Sequence, residues 1–190
     1  MPAALPSPCR IKQKRRRVRW GASGRTVYAY VGGNPVNVID PLGLVGYICQ
    51  KGPNIGIALP IYFNGGSSES IKNIVSAIER NWTGTFGQYN VALTVMVMTT
   101  PNSAGNLITL MPGSGTSYVR GANTGTWYES CSWANNMDFP HEAGHLLGLP
   151  DRSGVSSGIM GRNLNGATPT NRDIEQALAD EFNVVGCGCK

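Results

Sequence analysis

Both histidines of this 190-residue chain fall within five positions, in the run His141-Glu142-Ala143-Gly144-His145. An α-helix stacks residues i and i+4 on one face, so the two imidazoles stand side by side and can grip a single metal ion. Glu142, about 100° further around the helix, projects next to that ion and misses its inner shell. The pattern demands a helix here, and it points to metal-dependent hydrolysis.

The residues that follow extend the pattern. Gly148 comes three positions after His145, where a left-handed cap would end the helix and reverse the chain. Asp151 arrives three residues later on the returning loop, as a third ligand beside His141 and His145. Three protein ligands are the usual set for catalytic Zn²⁺, with the fourth position left to water. Glu142 would accept the proton of that water and pass it to the leaving amine, as general base and then general acid. An anionic Asp151 in place of a third neutral imidazole weakens the pull of the metal on water, so the expected activity optimum lies at or above neutrality.

A chain of this length supports one sizeable domain and an appendage, and 41% hydrophobic with 14% charged residues describes a globular protein. The pattern after residue 44 predicts a mixed α/β domain. Ile55 to Phe63 reads as a strand, with Pro60 arguing for an edge position. A helix capped by Ser67 or Ser68 runs to about residue 82, its stripe formed by Ile71, Ile74, Val75, Ile78 and Trp82. Tyr89 to Thr99 and Asn106 to Met111 are apolar enough for buried strands at the sheet centre. Weaker strands follow at 116–121 and 124–129. The helix of the histidine motif should begin near Asp138, as a cap, with Pro140 in its first turn. A last helix starts at Thr170, with Asp173 in the capping-box position and Ile174, Ala177, Leu178 and Phe182 as its buried stripe.

The formal charge of +5 is unevenly divided. Residues 1–44 hold eight basic residues against Asp40 alone, +7, whereas residues 45–190 hold eight against ten acids, −2. The basic excess therefore belongs to the leader, and the run Lys14-Arg15-Arg16-Arg17 reads as a solvated flank. A nucleic-acid footprint on the second segment is not expected. No stretch reaches the roughly 20 apolar residues of a membrane span, and no apolar region follows the basic run as a classical signal peptide requires.

The run from His141 to Asp151, with Gly148-Leu149-Pro150-Asp151 at its end, resembles the extended zinc motif of metzincin peptidases, and its aspartate form is similar to the snapalysin branch. The resemblance implies a metzincin-like zincin of the α/β (α+β) class, a mixed twisted sheet with an active-site helix, a methionine turn and a C-terminal helix. Met160, within Ser157-Gly158-Ile159-Met160-Gly161, occupies the place of the turn methionine beneath the zinc. Some members carry a tyrosine two residues later that stabilises the oxyanion. Arg162 stands there instead, as a candidate electrostatic substitute. The resemblance also implies an extended substrate along an edge strand above the metal, for which 117–121 is the candidate.

Residues 28–44, from Tyr28-Ala29-Tyr30-Val31 to Asp40-Pro41-Leu42-Gly43-Leu44, resemble the closing core motif of Rhs/YD-repeat proteins, shells that carry a variable toxin domain after this element. That resemblance implies a boundary between Leu44 and Val45, a basic leader with core remnant over 1–44, and a metallopeptidase toxin over 45–190. It implies a secretion apparatus, delivery into a neighbouring cell, a protein substrate there, and a cognate immunity protein in the producer. No acid precedes Asp40 to complete an aspartyl cleavage pair, so self-cutting is not expected. Two other readings remain open: a secreted snapalysin-like protease without a toxin role, and a binding domain in which the metal is structural. Of the cysteines, Cys187 and Cys189 are poorly spaced to pair with each other. Each can pair with Cys49 or Cys131, or all four remain thiols.

Overall fold

The computed structural model describes residues 46–101, 105–121, 123–131, 137–152, 158–161, 167–180 and 183–185. The leader, Asp40, Leu44 and the junction lie outside the described residues, as do Arg162, Phe182, Cys187 and Cys189.

The frame is a mixed sheet laid down by alternating apolar positions. In β2 (Asn54–Asn64), Ile55, Ile57, Leu59, Ile61 and Phe63 point to one side and are buried. Val91, Leu93 and Val95 do the same in β4 (Tyr89–Val97), Ile108 and Leu110 in β5 (Asn106–Gly115), and Trp127 in β7 (Thr124–Cys131). With β3 (Gly84–Phe86) and β6 (Tyr118–Arg120), the order is β3-β4-β2-β5-β7-β6. Strand β1 (Gly46–Lys51) pairs antiparallel with the first half of β2 and parallel with β8 (Asn183–Val185). The β2–β4, β2–β5 and β5–β7 pairings are parallel, and β3–β4 and β6–β7 are antiparallel.

Three helices complete the described part: α1 (Ser68–Trp82), α2 (Asp138–Leu146) and α3 (Asn171–Ala179). Ser67 caps α1 through Ser70 N–H, as expected, and Ile74, Ala77, Ile78 and Trp82 are its buried face. Thr170 and Asp173 form the expected capping box of α3, with Ile174 and Ala177 buried. None of these helices is long and apolar enough to cross a membrane.

Three expectations need correction. Strand β2 is central, not an edge. Pro60 is tolerated because Ile61 C=O receives Met98 N–H on the β4 side, so the alternate residue Pro60 faces the opposite side. There β1 pairing ends at Ala58 and β5 pairing begins at Ile61, and the missing N–H falls at that seam. Strand β4 is not a centre strand buried on both faces. It lies second from the edge, and Ala92, Thr94 and Met96 are exposed, because its outward face is bare among the described residues. Finally, Asp138 does not cap α2. The cap position is Met137, without a side-chain bond, and Asp138 is buried within the first turn.

Strands β1, β3 and β8 were not foreseen. Cys49 on β1 is disulfide-bonded, so the all-thiol alternative does not hold for it.

Candidate metal centre

Helix α2 is pinned before its histidines are placed. Trp82, fully buried at the end of α1, donates its indole N–H to the Pro140 carbonyl at 2.8 Å. Its ring also lies against Gly144. Gly144 leaves room for a close contact there, since a Cβ would stand 2.3 Å from Met160 Sδ. Met160, buried itself, thus lies beneath the turn that separates His141 from His145.

The helix ends as the sequence suggests. Leu149 N–H reaches back to Gly144 C=O and Gly148 N–H to His145 C=O, both at 3.0 Å, with Gly148 at φ +80°. This reversal brings the Leu149 carbonyl onto the ring of His145, whose Nδ1 lies 2.7 Å from it. The His141 Nδ1 lies equally close to the Ile159 carbonyl, on the methionine loop. A carbonyl can only accept, so both Nδ1 atoms carry the proton and both Nε2 lone pairs are left for a metal.

Asp151 completes the group. Its Oδ1 lies 3.2 Å from His141 Nε2 and 3.4 Å from His145 Nε2. Ligands about 2.0–2.1 Å from a tetrahedral Zn²⁺ are separated by roughly 3.3 Å, so these contacts have the spacing of a shared ion. The His145 contact is not a simple ion pair: burial holds His145 below its ordinary imidazole range, which favours the neutral, ligating form. The three residues are the cluster of metal-binding type found among the described residues.

Glu142 is only 7% exposed and stands beside this cluster. Burial, reinforced by the Asp151 and Asp138 charges, pushes its carboxyl up from 4.5 to about 8, against a hydrogen bond from the Val119 backbone. Its Oε2 is buried with no hydrogen-bond partner among the described residues. A metal-site cation and a polar reactant are the groups that would satisfy it. The donor set, the spacing and this orphaned oxygen all fit Zn²⁺.

Strand β6, the expected edge strand, is the last of the sheet and, among the described residues, pairs with β7 alone. Val119, at its middle, donates its backbone N–H to Glu142, so this edge runs beside the cluster. Ser117, just before β6, is buried and accepts Tyr128 N–H at 3.2 Å.

Of the sequence candidates, the structure brings together His141, Glu142, His145, Asp151, Gly148 and Met160. It does not describe Arg162, Asp40 or Leu44. Missed altogether were the Ile159 and Leu149 carbonyls, which no side-chain motif signals, and a buried ion pair between Arg152 and Asp173.

No family model matches the chain, and no curated protein matches it. Among solved structures, that of myroilysin aligns at 17% identity and a TM-score of 0.31. The alignment covers 49% of this chain and 48% of that one, about half of each.

Proposed function

We propose that the chain is a zinc-dependent endopeptidase. The observation that carries this reading is the convergence of His141 Nε2, His145 Nε2 and Asp151 Oδ1 beside a buried, unpartnered Glu142 oxygen. A zinc ion held by these three residues supplies Lewis acidity toward a peptide carbonyl and toward water. Glu142 Oε2 takes the proton of the attacking water and returns it to the departing amine nitrogen. Burial raises its pKa to about 8 in the metal-free chain, and a bound cation would lower it again and favour the carboxylate that accepts the proton. An extended substrate runs along the outer edge of β6, where main-chain pairing can hold it.

On this reading Met160 is the floor of a metzincin-type methionine turn, and Arg162 is a further candidate for oxyanion stabilisation. The resemblance of residues 28–44 to the Rhs core motif supports a role as the toxin tip of a polymorphic secretion system, opposed by an immunity protein.

The test compares the full chain with Glu142→Ala by cleavage-site mapping in a bacterial proteome and by growth on induction. Proteolysis and growth inhibition should both vanish in Glu142→Ala, with zinc binding retained. Inhibition that survives the substitution would point instead to a binding module with a structural metal.

A further inference from the structure

Asp151 is the least supported of the three converging groups. Its side chain is 75% exposed, and among the described residues it meets the two imidazoles alone. The next residue is its opposite. Arg152 is turned inward and donates Nη2–H to Asp173 Oδ1, on the first turn of α3, where Asp173 is 0% exposed. The other oxygen, Asp173 Oδ2, accepts the N–H and the hydroxyl of Thr170, both at 2.7 Å. Arg152 also donates its backbone N–H to Met160 C=O at 2.9 Å, and Ile159 N–H reaches Thr168 C=O at 3.0 Å.

The other end of α3 meets the same loop. A Cβ on Gly148 would stand 2.2 Å from Asp180 Oδ2, just past the last residue of that helix. Both ends of α3 therefore lie against the loop 148–152, Asp173 bonded to Arg152 and Asp180 packed close to Gly148. A buried ion pair contributes little net stability, because desolvation cancels most of its attraction, so its presence here calls for a geometric explanation. A capping box alone needs no arginine.

We infer that α3 is a splint for the metal-ligand loop, and that Asp173 is a positioning residue which, through Arg152, fixes the Asp151 carboxylate opposite His141 and His145. This rests on the ligand set proposed above. Holding Asp151 in place before the metal arrives removes an ordering cost that an exposed side chain would otherwise bring to binding.

The experiment measures zinc affinity by chelator competition, and the visible spectrum of the Co²⁺-loaded protein, in the full chain and in Asp173→Asn. Measurements are made at a temperature where circular dichroism shows the variant folded. Asp173→Asn should bind zinc about 10- to 100-fold more weakly and shift the Co²⁺ bands. In an Asp151→Ala background the same substitution should add no further loss. An unchanged affinity and spectrum in folded Asp173→Asn overturns the inference, and so does an equal loss in the Asp151→Ala background, which would mean that the pair supports the fold generally. Should Asp173→Asn fail to fold, Arg152→Lys keeps the charge but not the fork geometry and is read the same way. A wild-type chain that binds no zinc overturns the ligand assignment itself, a failure distinct from a zinc-binding chain indifferent to Asp173.

Discussion

The sulfur of Met160 fills the space that a side chain at position 144 would need, 2.3 Å from where its Cβ would sit. Gly144→Ala gains about 1 kcal/mol of helix propensity. It also overpacks a closed contact, at a cost of about 1–3 kcal/mol. Trp82, 3.3 Å from the same point, blocks the easy retreat of the helix, so the overpacking should win. The expected result is a lower urea midpoint and weaker zinc binding. Met160→Ala alone should cost about 2–5 kcal/mol. The two together should cost less than their sum, because the new methyl partly fills the space the thioether leaves. Strict additivity in a double-mutant cycle would show that the two residues do not meet.

Part of this was readable from the chain. Helical spacing places both histidines on one face, Gly148 marks the reversal, and Thr170 with Asp173 marks the start of α3, because each signal is local in sequence. What could not be read is what depends on distant neighbours. The continuous apolar run of β4 suggested burial on both faces, yet alternation there is set by which face the helices cover, and Met96 and Val97 are exposed. Pro60 argued for an edge until the change of partner from β1 to β5 was seen. Asp173 was recognised as a cap, but its second role with Arg152, 21 residues earlier, has no local signature.

Asp151 offers a clean separation of metal binding from folding. Being exposed, it should contribute little to the stability of the metal-free chain, and its charge raises the pKa of the Glu142 carboxyl. Asp151→Ala should therefore leave the midpoint in chelator within about 0.5 kcal/mol of wild type, or slightly above it. The stabilisation that added zinc gives the wild type should be largely lost. A variant that zinc still stabilises fully would remove Asp151 from the ligand set.

Gly148 carries two constraints that substitutions can separate. Alanine at φ +80° costs about 1–2 kcal/mol in backbone strain. Its methyl would also meet the Asp180 carboxylate. Gly148→Ala should exceed the strain alone, and adding Asp180→Ala should recover the excess without restoring wild-type stability. Zinc affinity should follow the same order, because the reversal at Gly148 sets the Leu149 carbonyl that orients His145. Equal melting temperatures for the single and double variants would show that the approach of α3 to this turn is unimportant.

The pKa of Glu142 makes a signed prediction about pH. Its carboxyl is raised from 4.5 to about 8 in the folded, metal-free chain, so folding favours the protonated form. That contribution is fully present below pH 4.5 and is lost as pH rises through 8. Glu142→Gln keeps an acceptor for the Val119 N–H but cannot ionise. In chelator, the two proteins should have similar urea midpoints near pH 4, and the glutamine variant should become the more stable by on the order of 5 kcal/mol by pH 9. His145, held low by burial, acts in the other direction, favouring the fold above its ordinary range and weakening it in acid, but it is common to both proteins and cancels. With zinc bound, the neighbouring cation stabilises the carboxylate and the alkaline advantage of the variant should shrink. Midpoints that run parallel across the whole pH range in chelator would mean that Glu142 is solvated, and the case for a buried base beside the histidines would fail with it.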